Sequence, residues 1–171
     1  MAKILHASID ENSKAKGGSA GDQTGKEVCI ATFNADKGWT DVLRPTKTAV
    51  ANKMIKKGKK LCNSNLVGYD QNQRNTLHTQ MKKNSYNAAD YIKSGVKTET
   101  DCSAFMTCLA IGAGAKLLEY ETSGNAPTTS TMVTKFVASG LFTRLAYTNG
   151  MSLKAGDILV KKGSHTCLYL G

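Results

Sequence analysis

Two residues in this chain, a cysteine and a histidine, have local settings in which they could do nucleophilic chemistry together. Thr100-Asp101-Cys102-Ser103-Ala104-Phe105-Met106-Thr107-Cys108-Leu109-Ala110 reads as a helix that opens on a cysteine. Asp101 is a good N-cap, and Ala104, Phe105, Leu109 and Ala110 supply an apolar face behind it. Cys102 then falls in the first turn, where unpaired backbone N–H groups and the helix dipole favour a thiolate. Such a thiolate is a nucleophile for acyl transfer once a base comes within reach. Near the other end, Gly156-Asp157-Ile158-Leu159-Val160 and Ser164-His165-Thr166-Cys167-Leu168-Tyr169-Leu170 read as two short strands, the second beginning with a histidine. Spacing alone leaves a second reading open: a buried small hydrophobe at Cys102 and an incidental His165.

Three segments taken in order resolve that choice by resemblance. Asp101-Cys102-Ser103-Ala104-Phe105, then Gly156-Asp157-Ile158-Leu159-Val160, then His165-Thr166-Cys167-Leu168-Tyr169-Leu170-Gly171 resemble the motifs of the NlpC family of papain-like cell-wall cysteine peptidases. Their wording looks most like catalytic domains of phage or prophage endolysins of Gram-positive hosts. The resemblance implies an α+β, papain-like (NlpC-type) fold, with an antiparallel sheet packed on helices and the nucleophile at a helix N-terminus. It implies a cysteine endopeptidase that cleaves an amide bond of the peptidoglycan stem peptide, with Cys102 as nucleophile and His165 as base. It leaves the bond open between D-glutamyl to the third residue, a cross-bridge, and the link from N-acetylmuramic acid to L-alanine. The last would make the chain an amidase working by the same thiol mechanism. No metal or organic cofactor is expected.

In the resembled family the group that orients the histidine, often another histidine, lies on the next strand, which often ends in His-Ala-Ser. Here that strand does not follow, but Ile4-Leu5-His6-Ala7-Ser8 stands at the amino terminus and looks like it. The resemblance therefore implies a circularly permuted strand order, which close termini make cheap, with His6 orienting His165. The alternative is that His6 is an ordinary strand residue and an Asn, Gln or backbone carbonyl orients the ring. The backbone N–H of Cys102 is the expected oxyanion donor. Asp22 and Gln23, in a Gly-rich loop, are candidates for substrate contact, with Gln23 a further oxyanion donor; a solvated loop explains them equally well. Tyr69, in Gly68-Tyr69-Asp70, is a counterpart of the family's tyrosine that recognises the stem peptide. His78 is expected to be exposed, Cys108 to be remote from the chemistry, and Cys167 to lie beneath the site.

Composition bounds the partners. The 171 residues are 40% apolar, enough for one globular domain spanning 1–171, and no apolar run approaches the ~20 residues needed to cross a bilayer. Because the chain stops directly after the histidine strand, it is expected to be a catalytic domain excised from, or followed by, a wall-binding region. Met1-Ala2-Lys3-Ile4-Leu5-His6 has no apolar signal region, so synthesis in the bacterial cytoplasm is expected, with action at the wall after release. Five cysteines without a C-x-x-C pair point to reduced thiols instead of a zinc site or disulfide framework. The net charge of +10 draws the chain to polyanions, and much of it sits in Lys53, Lys56, Lys57, Lys59 and Lys60. That run reads first as a solvated helix face. It has no interleaved aromatics, so nucleic acid is not expected as a partner. Bacterial peptidoglycan and anionic wall polymers are, with the chain acting as a monomer. A cysteine acyltransferase and a non-catalytic basic module that binds wall or nucleic acid are the rival functions.

The elements that must hold these residues follow from pattern. Strands are expected over 3–9, 27–33, 39–44, 141–147, 156–160 and 164–170. Helices are expected over 46–61 (capped by Thr46 or Thr48, with Val50, Met54 and Leu61 inward), 71–83, 102–111 and from Thr128 or Thr129 to 139, with Met132, Phe136 and Val137 inward. Residues 84–100 read as polar, with one helical turn near 88–92.

Overall fold

The two ends of the chain lie side by side in one sheet. β1 (Lys3–Ala7) runs antiparallel to β8 (His165–Tyr169), and Lys3 N–H donates to Gly171 O at 3.0 Å. On its other edge β1 pairs with β2 (Val28–Thr32), while β8 pairs with β7 (Ile158–Lys161). Thus β7, β8, β1 and β2 form a continuous antiparallel meander that passes through the juncture of the two termini. Beyond β7 come β3 (Asp41–Pro45) and β6 (Phe142–Ala146), completing six antiparallel strands. The computed structural model describes residues 1–117 and 124–171.

Alternation divides the strand side chains between two layers. Leu5, Ala7, Leu43, Ile158, Val160 and Leu168 face the helices, and Ile4, Val42, Leu159 and Cys167 gather around Trp39 on the opposite face. The helical layer holds α1 (Thr48–Cys62), α2 (Thr76–Lys83), α3 (Ala88–Ser94), α4 (Cys102–Gly112) and α5 (Met132–Ala138). Helix α4 is apolar on all sides, and ten of its eleven residues are buried, so it is the core element against which α1, α2, β1 and β8 pack. Gly58 of α1 permits close approach to the sheet, since a Cβ there would stand 2.6 Å from Leu5 Cδ2.

The architecture is a mixed α/β fold with a mostly antiparallel sheet packed on helices, as the sequence implied at that level. Differences lie where tertiary contacts overrode local signals. The helix expected from residue 71 starts at Thr76, because the Asp70 carboxylate accepts N–H groups of Gly17 and Asn72 and does not cap a helix. Thr46 and Thr48 do not cap α1: its N-cap is Lys47, and Thr46 Oγ1 donates to Leu141 O. A two-stranded parallel sheet, β4 (Val67–Tyr69) with β5 (Thr98–Thr100), was invisible to pattern reading because each strand is only three residues long. Val137 is 40% exposed, not inward, while Met132 and Phe136 are buried. His78 is buried too, with Nε2 at 2.8 Å from the Tyr86 hydroxyl, in place of the exposed setting expected. The composition of Ser123-Gly124-Asn125-Ala126-Pro127 predicts a loop, whose first residue lies outside the described residues.

Candidate active site

Cys102 is the first residue of α4, and the sequence builds that start locally. Asp101 sits in extended conformation, and its Oδ1 accepts the Ala104 N–H at 2.7 Å and the Ser103 hydroxyl at 3.0 Å. A cap of this kind contributes about 1 kcal/mol to the helix. Arg74 grips the same carboxylate from the turn before α2, with Nε–Oδ2 at 2.5 Å and Nη2–Oδ1 at 3.3 Å. Its guanidinium also donates to Ser103 Oγ at 2.8 Å and to the carbonyls of Ala126 and Pro127. Five planar donors let one side chain lock the helix start to two loops.

The thiol meets the histidine strand through the backbone. Tyr169 N–H donates toward β7, to Asp157 O, and Leu170 N–H donates toward β1, to Lys3 O, both at 2.8 Å. Alternation therefore points the Thr166 N–H toward β1. The β1–β8 ladder covers only Ile4↔Tyr169 and Leu5↔Leu168, so no β1 carbonyl faces Thr166. The Cys102 sulfur takes that place, receiving the N–H groups of Thr166 and Ser103.

His165, the first residue of β8, projects to the Trp39 face. Its Nε2 lies 3.1 Å from His6 Nδ1, with the two rings edge to face at 80° and centroids 5.3 Å apart. Trp39 stacks obliquely on the other side at 6.1 Å, held by its Nε1–H to Asn34 O. His6 is buried and His165 half-buried. Burial lowers both imidazoles well below their ordinary value of 6.5, and the neighbouring positive charge of Lys37 adds to this in each. For His165 the charge of His6 contributes as well.

The electrostatics of Cys102 differ from what its helix position alone predicts. Burial pushes the thiol up to about 11, and the Asp101 carboxylate adds to the rise. The N–H groups of Thr166 and Ser103 and the Arg74 charge pull the other way without overcoming desolvation. The resting groups are a thiol and a neutral imidazole.

Cys102 opens into a cavity of about 410 Å³, lined also by Lys16, Gln71, Arg74, Thr129 and Ser164. Tyr69 is buried and does not line it, reaching it only through Gln71. Burial raises its hydroxyl to about 12, with the Cys102 and Asp101 charges adding, and the hydroxyl accepts Gln71 Nε2–H at 3.2 Å. Asp22 and Gln23 do not line this cavity. Asp22 spends its carboxylate on the N–H groups of Thr24, Gly25, Glu27 and Val28, and Gln23 Nε2 donates to the carbonyls of Ala20 and Gly21. Both serve to fold the Gly-rich loop, and the glutamine at the cavity is Gln71. Cys108 is buried in the core, and Cys167 is buried beside Trp39.

Sequence reasoning missed Arg74 and Trp39. Each carried a signal: Trp39 is the single tryptophan, and Arg74 is one of three arginines in a lysine-rich chain. All three arginines pair with buried aspartates, as Arg44–Asp157, Arg74–Asp101 and Arg144–Asp41. The Gly156-Asp157 motif is explained by packing as well. Asp157 takes Arg44, and Gly156 has φ +97°, with a Cβ there falling 2.3 Å from Ala51 Cβ.

These features define a domain with a cysteine at a helix start, a histidine pair on the adjoining strands and an open groove between loops. A family model described as an endolysin-like domain matches residues 4–171, and the chain belongs to that family. It is thus an endolysin-type domain, of the class of phage lysins that act on the cell wall. No curated protein and no solved structure matches the chain.

Proposed function

We propose that this domain is a peptidoglycan hydrolase that cuts an amide bond of the stem peptide by thiol catalysis, on a papain-like, NlpC-type fold with circularly permuted strand order. The observation that carries the proposal is the His6–His165 pair, 3.1 Å apart, on the strands beside Cys102. Membership of the endolysin-like family supports the wall as substrate, and the β7-β8-β1-β2 meander supports the permuted order.

With Nε2 of His165 engaged by His6, Nδ1 is the nitrogen left to work as base. That requires the Nε2–H tautomer, which donates to His6 Nδ1. His165 Nδ1 takes the Cys102 proton as sulfur attacks the carbonyl carbon. A C–S bond forms, and the backbone N–H of Cys102 receives the oxyanion. Collapse breaks the C–N bond, and the imidazolium protonates the leaving amine. Water then attacks the thioester, giving its proton to His165, and the C–S bond breaks to release the acid and restore the thiol. His6 acts as a positioning residue. The groove residues contact the stem peptide, with Tyr69 holding Gln71 from behind, and the chain works at the wall after synthesis in the cytoplasm.

The test is turbidity loss and product mass analysis on purified Gram-positive walls, with the parent beside Cys102→Ala and His165→Ala. Lysis by the parent alone supports the proposal, and the masses separate endopeptidase from amidase products. Lysis undiminished in folded Cys102→Ala would sink it.

A further inference from the structure

Four lysines outside the catalytic groove, Lys53, Lys56, Lys57 and Lys60, fall at i, i+3, i+4 and i+7 of α1 and so form one stripe. Lys53, Lys56 and Lys60 are exposed, as a solvated face would have them, and Lys57 is half-buried. They line a cavity of about 480 Å³ whose opposite wall is the segment from Ser85 to Ala89, and none of its described lining residues is acidic. Like charges at these spacings repel, so the helix carries the stripe at a cost. The opposite wall is strained as well: Ser85 and Tyr86 are consecutive non-glycine residues in the left-handed region, at φ +50° and +57°. That conformation turns the Tyr86 carbonyl onto Lys57 Nζ, which donates to it, and sets Ser85 and Asn87 across from the other three ammonium groups.

A cationic stripe facing neutral hydrogen-bonding side chains suits an anion that also carries hydroxyls. We propose that this cavity binds phosphodiester groups of an anionic polyol-phosphate wall polymer. The charge is complementary, and the inference rests on the proposed wall function that membership of the endolysin-like family supports. Nucleic acid fits less well. Tyr86 is the one aromatic among the described lining residues, and its ring packs on His78 with centroids 5.6 Å apart, so it is no platform for base stacking. The cavity reaches Gly112, at the far end of α4 and about 15 Å along the helix from Cys102. Polymer and peptide therefore occupy separate places, and the binding stands whether or not Cys102 is a nucleophile.

The experiment measures retention of the Cys102→Ala chain on purified Gram-positive walls, before and after hydrofluoric acid removes phosphodiester polymers. It is repeated with Lys53, Lys56 and Lys60 changed to Gln, and with a control in which Lys14, Lys26 and Lys93 are changed to Gln. Lys57 is kept, because it supports the Tyr86 turn. The expected result is about tenfold weaker binding for the cavity variant, little change for the charge-matched control, and a similar loss for the parent on extracted walls. Equal loss in both triple variants would reduce the effect to net charge and overturn the proposal. So would unchanged binding to extracted walls, or retention on duplex DNA as tight as on intact walls. Circular dichroism of each variant guards against a folding defect.

Discussion

His6 Nδ1 and His165 Nε2 stand 3.1 Å apart although 159 residues separate them in the chain. The contact exists because β1 pairs with β8, which brings the amino-terminal strand beside the carboxy-terminal one. Burial keeps both rings neutral well below 6.5, so the acid limb of kcat/KM is expected below that pH. His6→Ala removes a charge that lowers His165 and admits water, and both effects raise the His165 value. The acid limb should move up toward 6.5, with kcat about 10- to 100-fold lower. A pH–rate series on a soluble stem-peptide substrate reads both, and an unmoved limb would remove His6 from the mechanism.

The Cys102 thiol, raised to about 11, should alkylate with iodoacetamide at pH 7 more slowly than a free cysteine, with the rate climbing to pH 10 and above. Site-resolved mass spectrometry measures this directly. Rapid labelling at pH 7 would mean that the resting site holds a thiolate.

Arg74→Ala leaves the Asp101 carboxylate without its guanidinium partner and frees two loops. Breaking this largely buried pair should cost about 3 kcal/mol in urea unfolding. It should also raise the Cys102 thiol further, because the Arg74 charge is among the influences that lower it. Arg74→Lys restores a charge but not the two-pronged geometry, so partial rescue is expected.

Glu99 offers a stability test of opposite sign to the histidines. Burial, with Asp70, Glu11 and Glu27 nearby, raises its carboxyl from 4.5 to about 7, and its Oε1 is buried without a hydrogen-bond partner. The folded chain therefore holds a proton that the unfolded chain releases between those values. The stabilisation is complete below pH 4.5 and is lost as pH rises through 7. Glu99→Gln should be about 1 kcal/mol more stable than the parent at pH 8 and nearly equal to it at pH 5, by thermal melts at both. Equal stability at pH 8 would contradict the raised value.

Gly156→Ala places a Cβ 2.3 Å from Ala51 Cβ at a residue with φ +97°. Overpacking and a left-handed conformation together should cost about 2–4 kcal/mol, read from denaturant midpoints. A variant as stable as the parent would show that α1 can shift to make room.

The sequence by itself determined what a few adjacent residues can specify. Asp101 followed by small and apolar residues sets the helix start at Cys102, and alternating apolar residues set the strand that carries His165. The stripe of lysines on α1 was legible for the same reason, since helical period is a local property. Only the tertiary structure decided the rest. Ladder register sets His6 against His165, and a ladder that stops at Leu5↔Leu168 leaves the Thr166 N–H to the Cys102 sulfur. Burial, which no single segment encodes, reverses the thiolate preference that the helix start alone would give. Capping and periodicity act over one or two turns of chain, whereas desolvation, register and the reach of Arg74 depend on segments brought together only when the sheet closes over α4.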